Sequence, residues 1–152
     1  MSQSEVPEST VRIEKNQALE MEAVLKLYRA VGWTQYAADP ELLMRSIRGS
    51  QGVFSAYVDD ALVGVLRCVT DSVSVVYIQD LLVDPAYQRQ GVGRALMNAL
   101  EKAYADVRLK LLLTDDTPQQ LAFYEALSYT NTRSLKKRPL NAFLRVKGQT
   151  LE

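Results

Sequence analysis

The chain has 152 residues, of which 47% are hydrophobic, and its 18 Lys and Arg residues balance 18 Asp and Glu residues. This size and charge balance are typical of one globular domain and give no electrostatic reason to expect nucleic acid or a membrane as partner. The absence of histidine excludes the commonest general base and most zinc sites, so we expect no metal, and the single cysteine excludes an intrachain disulfide.

The N-terminal segment 1–9 is polar and lacks the apolar stretch of a signal peptide. No segment further along is apolar over a length that could cross a bilayer. We therefore expect a cytoplasmic protein with a flexible N-terminus at 1–9 and a single domain over residues 10–148.

The first third of the chain predicts one strand and two helices. Val11–Lys15 alternates with period two, as a half-buried strand does. Asn16 is a candidate N-cap for the first helix, and Gly32 fits the position just beyond its end. The second helix opens on an Asp-Pro pair, with Pro40 in its first turn, and Gly49 closes it.

The middle of the chain predicts a sheet. Val53–Val58 and Ala61–Val69 are expected to form a hairpin, and the long β-branched run Val73–Val83 is apolar on both faces, which is typical of a central strand. An amphipathic helix over 92–103 and the apolar strand Val107–Thr114 follow. A strand, a helix and a further strand indicate a parallel crossover unit.

The C-terminal part predicts one more helix and two short strands. Thr117 is the N-cap of that helix and belongs to a capping-box pattern. Tyr129–Leu135 and Ala142–Val146 are each expected to form a short strand. The complete fold is thus an α/β (α+β) domain whose mixed, mostly antiparallel, twisted sheet has about six or seven strands and about four flanking helices.

A glycine turn between the central strand and its helix is the strongest functional signal. A phosphate-binding P-loop needs a lysine after its last glycine, and Arg94 stands there instead. A dinucleotide fingerprint needs a small residue at the position of Leu96. The remaining pattern, Gln/Arg-x-x-Gly-x-Gly/Ala, is satisfied by Gln88, Gly91 and Gly93. The string alone is weak, but its position between a strand and a helix strengthens it.

Three segments carry a family resemblance: Tyr77–Pro85, Tyr87–Met97 and Ala122–Tyr129. With the order of elements along nearly the whole chain, they resemble the Gcn5-related N-acetyltransferases (GNAT), which move an acetyl group from acetyl-CoA to an amine. Leu112–Pro118 and the Gly-Trp pair at 32–33 resemble small bacterial members. The resemblance implies a splayed pair of parallel strands, acetyl-CoA as acyl donor, and a primary amine of a small molecule, or less favourably of a peptide or protein, as acceptor.

The resemblance also implies where CoA binds. Backbone N–H groups at a helix N-terminus attract a pyrophosphate, and glycine allows its close approach. Backbone groups at the end of the central strand would pair with the pantetheine arm, and one of their N–H groups would stabilise the oxyanion. The residues implied are Leu81, Leu82, Val83, Gln88, Arg89, Gln90, Gly91, Val92, Gly93, Arg94, Thr117 and Tyr124.

Two side chains are candidates for proton transfer. The resemblance makes Tyr124 the acid that protonates the leaving thiolate, whereas spacing alone favours a core tyrosine. Asp80 interrupts the apolar central strand and is the candidate base. A structural carboxylate, with a water chain as the base, is the open alternative. Asp115 and Asp116 are weaker candidates.

The acceptor side is less defined. Trp33 and Tyr36 lie in the segment that resembles the family's acceptor-site wall, and simple packing of a helical cover explains them as well. Ser128 departs from the family, which mostly has glycine there. If this position is left-handed, serine costs about 1 kcal/mol. The resemblance further implies a homodimer through the C-terminal strands. The competing functional hypothesis is a catalytically silent acyl-CoA-binding regulatory module.

Overall fold

The computed structural model describes residues 10–152, so the N-terminus predicted to be flexible at 1–9 lies outside it. The chain divides into a first unit that ends at Leu113 and a second unit from Thr114 to Glu152. The single-domain boundaries stay a prediction. Over the described residues, none of the helices combines the length and the apolar character needed to cross a membrane. The cytoplasmic location also stays a prediction.

The first unit is built on one five-stranded sheet with the order β1-β2-β3-β4-β5. The strands are β1 Val11–Lys15, β2 Gly52–Val58, β3 Ala61–Thr70, β4 Val75–Val83 and β5 Leu109–Leu112. Strands β1 to β4 pair antiparallel, and β4 pairs parallel with β5. The mixed, mostly antiparallel sheet with one parallel pair is therefore as predicted.

Over residues 10–152, five α-helices accompany the sheet and the second unit. They are α1 Met21–Ala30, α2 Thr34–Ala38, α3 Pro40–Arg48, α4 Val92–Ala103 and α5 Pro118–Ala126. Helix α2 lies between the two helices predicted for the first third of the chain and was not predicted. The predicted cap at Asn16 is wrong, because Asn16 has a positive φ of 55° and its side-chain oxygen accepts the N–H of Val53 at 2.8 Å. It ties the end of β1 to β2, and α1 begins five residues later.

The core of the first unit forms against the sheet. Helices α1 and α3 bury Val24, Leu27 and Leu43 in one cluster with Val65 and Leu82 of the sheet. The stripe predicted for α4 is confirmed by the burial of Val92, Leu96, Met97 and Leu100. Gly64 gives α4 its close approach, because an added Cβ would lie 3.0 Å from the Leu96 and Val92 side chains.

The two strands predicted in the second unit are not formed. Residues Thr132–Ser134 make a single 3₁₀ turn, and 142–146 have no regular structure. The described sheet accordingly has five strands instead of about six or seven. A β-prone sequence needs a neighbouring strand for its backbone and a surface for its side chains. Phe143, 92% exposed, has no such surface. The homodimer through this segment stays a prediction.

Ser128 has the left-handed conformation considered above, with φ of +68°. We expect Ser128→Gly to raise the free energy of unfolding by about 0.5–1 kcal/mol, because glycine removes the left-handed penalty at some cost in backbone entropy. Urea unfolding measures the change. Ser46→Gly, in the interior of α3, is the control and should destabilise. If both substitutions destabilise alike, backbone strain at Ser128 is not the cause.

Candidate active site

Strand β5 pairs with only the first part of β4, and this parallel pairing ends where β5 ends. Pairing runs from Val75↔Leu109 to Ile78↔Leu112 and stops there. Strand β4 continues to Val83, and among residues 10–152 no other strand covers that edge. The backbone N–H and C=O groups that point to this side are therefore available to an extended ligand. Leu81, Leu82 and Val83, the residues predicted for the pantetheine arm, all lie in this uncovered part.

A β-bulge in β4 directly follows the last residue that pairs with β5. Arg67 of β3 faces Asp80, but the next pair is Cys68 with Ile78, so Gln79 is an extra residue in β4. A bulge interrupts strand alternation and redirects the side chains on either side of it. Simple alternation along β4 would place Asp80 on one face with Ile78, and the bulge breaks that alternation. The apolar run Val73–Val83 contains no sequence signal that predicted the bulge.

The glycine turn leads into a helix that carries no cap. Gly91 has φ of +82° and Arg89 has φ of +63°, and α4 begins at Val92 without a side-chain cap. The side-chain amide of Gln88 donates to the carbonyl of Val83 at 3.2 Å, which ties the turn to the end of β4. Uncapped first-turn N–H groups and the positive end of the helix dipole suit an anionic ligand.

Asp80 lies at the centre of a buried hydrogen-bond network. The carboxylate is 2% exposed, and its Oδ2 is 2.8 Å from both Nε and Nη2 of Arg67. The Tyr28 hydroxyl donates to the same oxygen at 3.0 Å, and Tyr36 donates to Oδ1 at 3.4 Å. A base function would therefore have to use Oδ1, the oxygen with fewer donors.

The network also changes the pKa values of Tyr28 and Arg67. Burial, and then the neighbouring carboxylate, raises the pKa of the Tyr28 phenol far above its ordinary value. Burial opposes the charge of Arg67, yet Asp80 outweighs it and raises the pKa of that guanidinium. The Arg67 guanidinium therefore keeps its positive charge beside the carboxylate. Sequence reasoning missed Arg67, although one charged residue in the apolar run Ala61–Val69 was a usable signal.

The aromatic residues proposed for the acceptor wall form one cluster with Tyr28. The ring centroids of Tyr28 lie 5.8 Å from Trp33 and 5.4 Å from Tyr36, and those of Trp33 and Tyr36 are 6.0 Å apart. Trp33 and Tyr36 are half-buried and pack against the α1–α3 core. Packing accounts for part of their surface, and the rest is open to a ligand.

Tyr124 and Thr117 belong to α5 in the second unit. Thr117 accepts the N–H of Gln120 at 3.2 Å, so its hydroxyl serves as the predicted cap. Tyr124 is half-buried, with the rings of Phe123 and Tyr129 at 4.9 and 6.1 Å. Burial raises the pKa of the Tyr124 phenol to about 12, which keeps it protonated near neutral pH.

The thiol of Cys68 and the carboxylate of Asp116 have surroundings that limit their reactivity. Cys68 is fully buried, and its burial raises the pKa of the thiol, which disfavours the nucleophilic thiolate. Asp116 forms an exposed ion pair with Arg133 at 3.2 Å in the second unit. Within residues 10–152 no cluster of three or more carboxylate, thiol or imidazole groups is arranged to hold a metal ion.

Comparison with known proteins assigns the family. The model of the Acetyltransferase (GNAT) family matches residues 18–129. A solved GNAT family acetyltransferase from Streptococcus pneumoniae TIGR4 is 30% identical, with a TM-score of 0.77, covering 91% of this chain and 99% of that chain. The chain belongs to the GNAT acetyltransferase family, an acetyl-CoA-dependent class of enzymes, and the GNAT fold is confirmed.

More distant proteins share the fold. An aminoglycoside acetyltransferase from an uncultured soil metagenomic sample, solved with sisomicin, is 20% identical with a TM-score of 0.67, covering 91% of this chain and 98% of that one. An uncharacterized N-acetyltransferase from Prochlorococcus marinus is 26% identical over an alignment of 112 residues that covers 69% of this chain. The match spans 59% of the length of that curated relative.

Proposed function

We propose that this chain is an N-acetyltransferase that moves the acetyl group of acetyl-CoA directly to a primary amine of a small molecule, within a ternary complex. The observation that carries the proposal is the end of β4 that no described strand covers, together with the uncapped N-terminus of α4. Pairing ends at Ile78, and the turn that leads into α4 is tied to the end of the same strand by Gln88. An extended thiol arm and a pyrophosphate need this combination.

The proposed donor site divides along CoA. The turn from Gln88 to Gly91 and the first residues of α4 to Arg94 bind the pyrophosphate through backbone N–H groups. The uncovered edge from Leu81 to Val83 pairs with the pantetheine arm, and an N–H group there stabilises the oxyanion. Thr117 uses its hydroxyl as a helix cap, so its contribution to CoA binding would come from its backbone.

The proposed reaction requires two proton transfers. The amine lone pair attacks the thioester carbon to form a C–N bond, and collapse of the tetrahedral adduct breaks the C–S bond. Tyr124 then protonates the leaving thiolate, since its phenol carries a proton at neutral pH. Asp80, through Oδ1, and a water chain are the two candidate routes for the proton that leaves the amine.

Direct transfer is favoured over an acyl-enzyme. The only thiol of the chain, Cys68, is fully buried between β2 and β4, and an acyl group on it would need space that the core lacks. Gly52 opposite it illustrates this tightness, because a Cβ added there would come within 2.5 Å of the Cys68 sulfur.

The acceptor class is tested by thiol release from acetyl-CoA over a panel of amines. The panel contains arylalkylamines, polyamines, an aminoglycoside such as sisomicin, and an amine-bearing peptide. A similarity of 20% to the aminoglycoside enzyme supports the shared fold only, so that class is one arm of the panel. Thiol release with a small primary amine supports the proposal. CoA binding without release from any amine would instead identify the silent regulatory module.

A further inference from the structure

The Asp80 network runs from the buried core of the first unit to its surface. Arg67 and Tyr28 bind Oδ2 and are buried, with Arg67 7% exposed and Tyr28 fully enclosed. Tyr36 binds Oδ1 and is half-buried, and its oxygen accepts the side-chain amide of the exposed Gln79 at 3.3 Å. Tyr36 is therefore the side chain through which the carboxylate meets the surface.

The hydrogen bonds fix which way the Tyr36 hydroxyl points. Its single proton is donated to Asp80, so the oxygen turns its lone pairs outward. Gln79 donates to that oxygen, which retains capacity for one more donor. The bulge at Gln79 creates this arrangement, because it places Gln79 and Asp80 side by side near the same tyrosine.

We propose that the outward face of the Tyr36 hydroxyl binds the acceptor amine, with Asp80 and Arg67 as positioning residues that aim it. The inference rests on the proposed function and names the atom that receives an N–H of the amine. An amine that donates one N–H to Tyr36 keeps its lone pair for the thioester. Asp80 directly precedes Leu81 on the strand edge proposed for that thioester, so the two sites are adjacent in the chain.

The charge of the network selects a class of amine. The Arg67 guanidinium cancels the Asp80 carboxylate, so this site has no net negative charge to attract a polycation. Trp33 and Tyr36 add half-buried aromatic surface next to the hydroxyl. The site therefore suits a monoamine on an aromatic or apolar group, and we take benzylamine as its probe.

The test compares Tyr→Phe substitutions of the two tyrosines that donate hydrogen bonds to the Asp80 carboxylate. Tyr36→Phe should raise the KM for benzylamine about tenfold, the effect of one lost hydrogen bond, with CoA affinity unchanged. Tyr28→Phe, which removes the buried donor to Oδ2, should leave that KM unchanged. Asp80→Asn added to Tyr36→Phe should raise KM little further, since both act through one contact. Spermidine, as the polycation, should be the poorer acceptor.

Each other outcome overturns part of the proposal. Equal effects of Tyr36→Phe and Tyr28→Phe would indicate a structural role only. A raised KM in Asp80→Asn with an unchanged KM in Tyr36→Phe would indicate that Asp80 contacts the amine directly. If spermidine is a better acceptor than benzylamine, the claim that the site has no net negative charge is wrong. Calorimetry of benzylamine with the CoA-bound protein separates binding from catalysis. If benzylamine binds in a Tyr36-dependent way but no thiol is released, the proposed acetyltransferase activity is wrong and the proposed amine site is supported. If the wild type does not bind benzylamine, the proposed amine site is wrong.

Discussion

We expect Arg67→Met to lower the free energy of unfolding by about 3–5 kcal/mol. Methionine fills much of the same volume, but it leaves the Asp80 carboxylate buried without its cation. The side chains of Arg67 and Asp80 are only 9% and 2% exposed, so water cannot replace the guanidinium. Urea unfolding at neutral pH measures the loss.

Two further variants show whether the orphaned charge is the cause. Adding Asp80→Asn to Arg67→Met removes the charge but keeps an oxygen for the tyrosine hydroxyls, and should recover a large part of the loss. Arg48→Met breaks an exposed pair with Glu41, with side chains 61% and 74% exposed, and should cost less than about 1 kcal/mol. Additive losses in the double variant would contradict this explanation.

Tyr124→Phe should lower kcat by about 100-fold or more, the usual contribution of a positioned general acid. The KM for acetyl-CoA should change little, because the ring keeps its packing against Phe123 and Tyr129. Burial raises the pKa of Tyr124 to about 12, so the wild-type phenol stays protonated and its ionisation should not lower kcat between about pH 7 and 10. Steady-state thiol release across this range measures both effects.

The control for Tyr124 is a second partly enclosed tyrosine. Tyr104→Phe removes a hydroxyl that interacts with Cys68 in the first unit, and Tyr104 has no role in the proposed reaction. It should leave kcat unchanged even if it lowers stability. If Tyr124→Phe and Tyr104→Phe behave alike, another group protonates the thiolate.

Sequence patterns predicted most of the fold because local signals agreed with tertiary packing. Val11–Lys15 forms the predicted strand, and Thr117 caps its helix. Where local signals had no tertiary partner, they failed. The apolar segment 142–146 meets no neighbouring strand, and Asn16 has the side chain of a helix cap but binds β2 instead.

The site was predictable only in part, for a related reason. The glycine turn is a local feature, and its backbone conformation follows from Gly91 itself. The partner of Asp80 is not local, because Arg67 meets it across two strands through a register that the bulge at Gln79 sets. Residues that act through such long-range contacts could be recognised only in the folded structure. The hydrogen bond between Tyr36 and Asp80 is another example.

The most direct test of the account is calorimetric titration of CoA into the wild type and Gly91→Glu. A carboxylate at the start of α4 repels the pyrophosphate and strains a position with φ of +82°, so CoA should bind roughly 30-fold more weakly. Gly32→Glu, also at φ of +82° and in open space, controls for strain and should bind CoA as the wild type does. CoA binding unaffected by Gly91→Glu, or wild-type binding of NAD in place of CoA, would contradict the assignment of the turn as a CoA site.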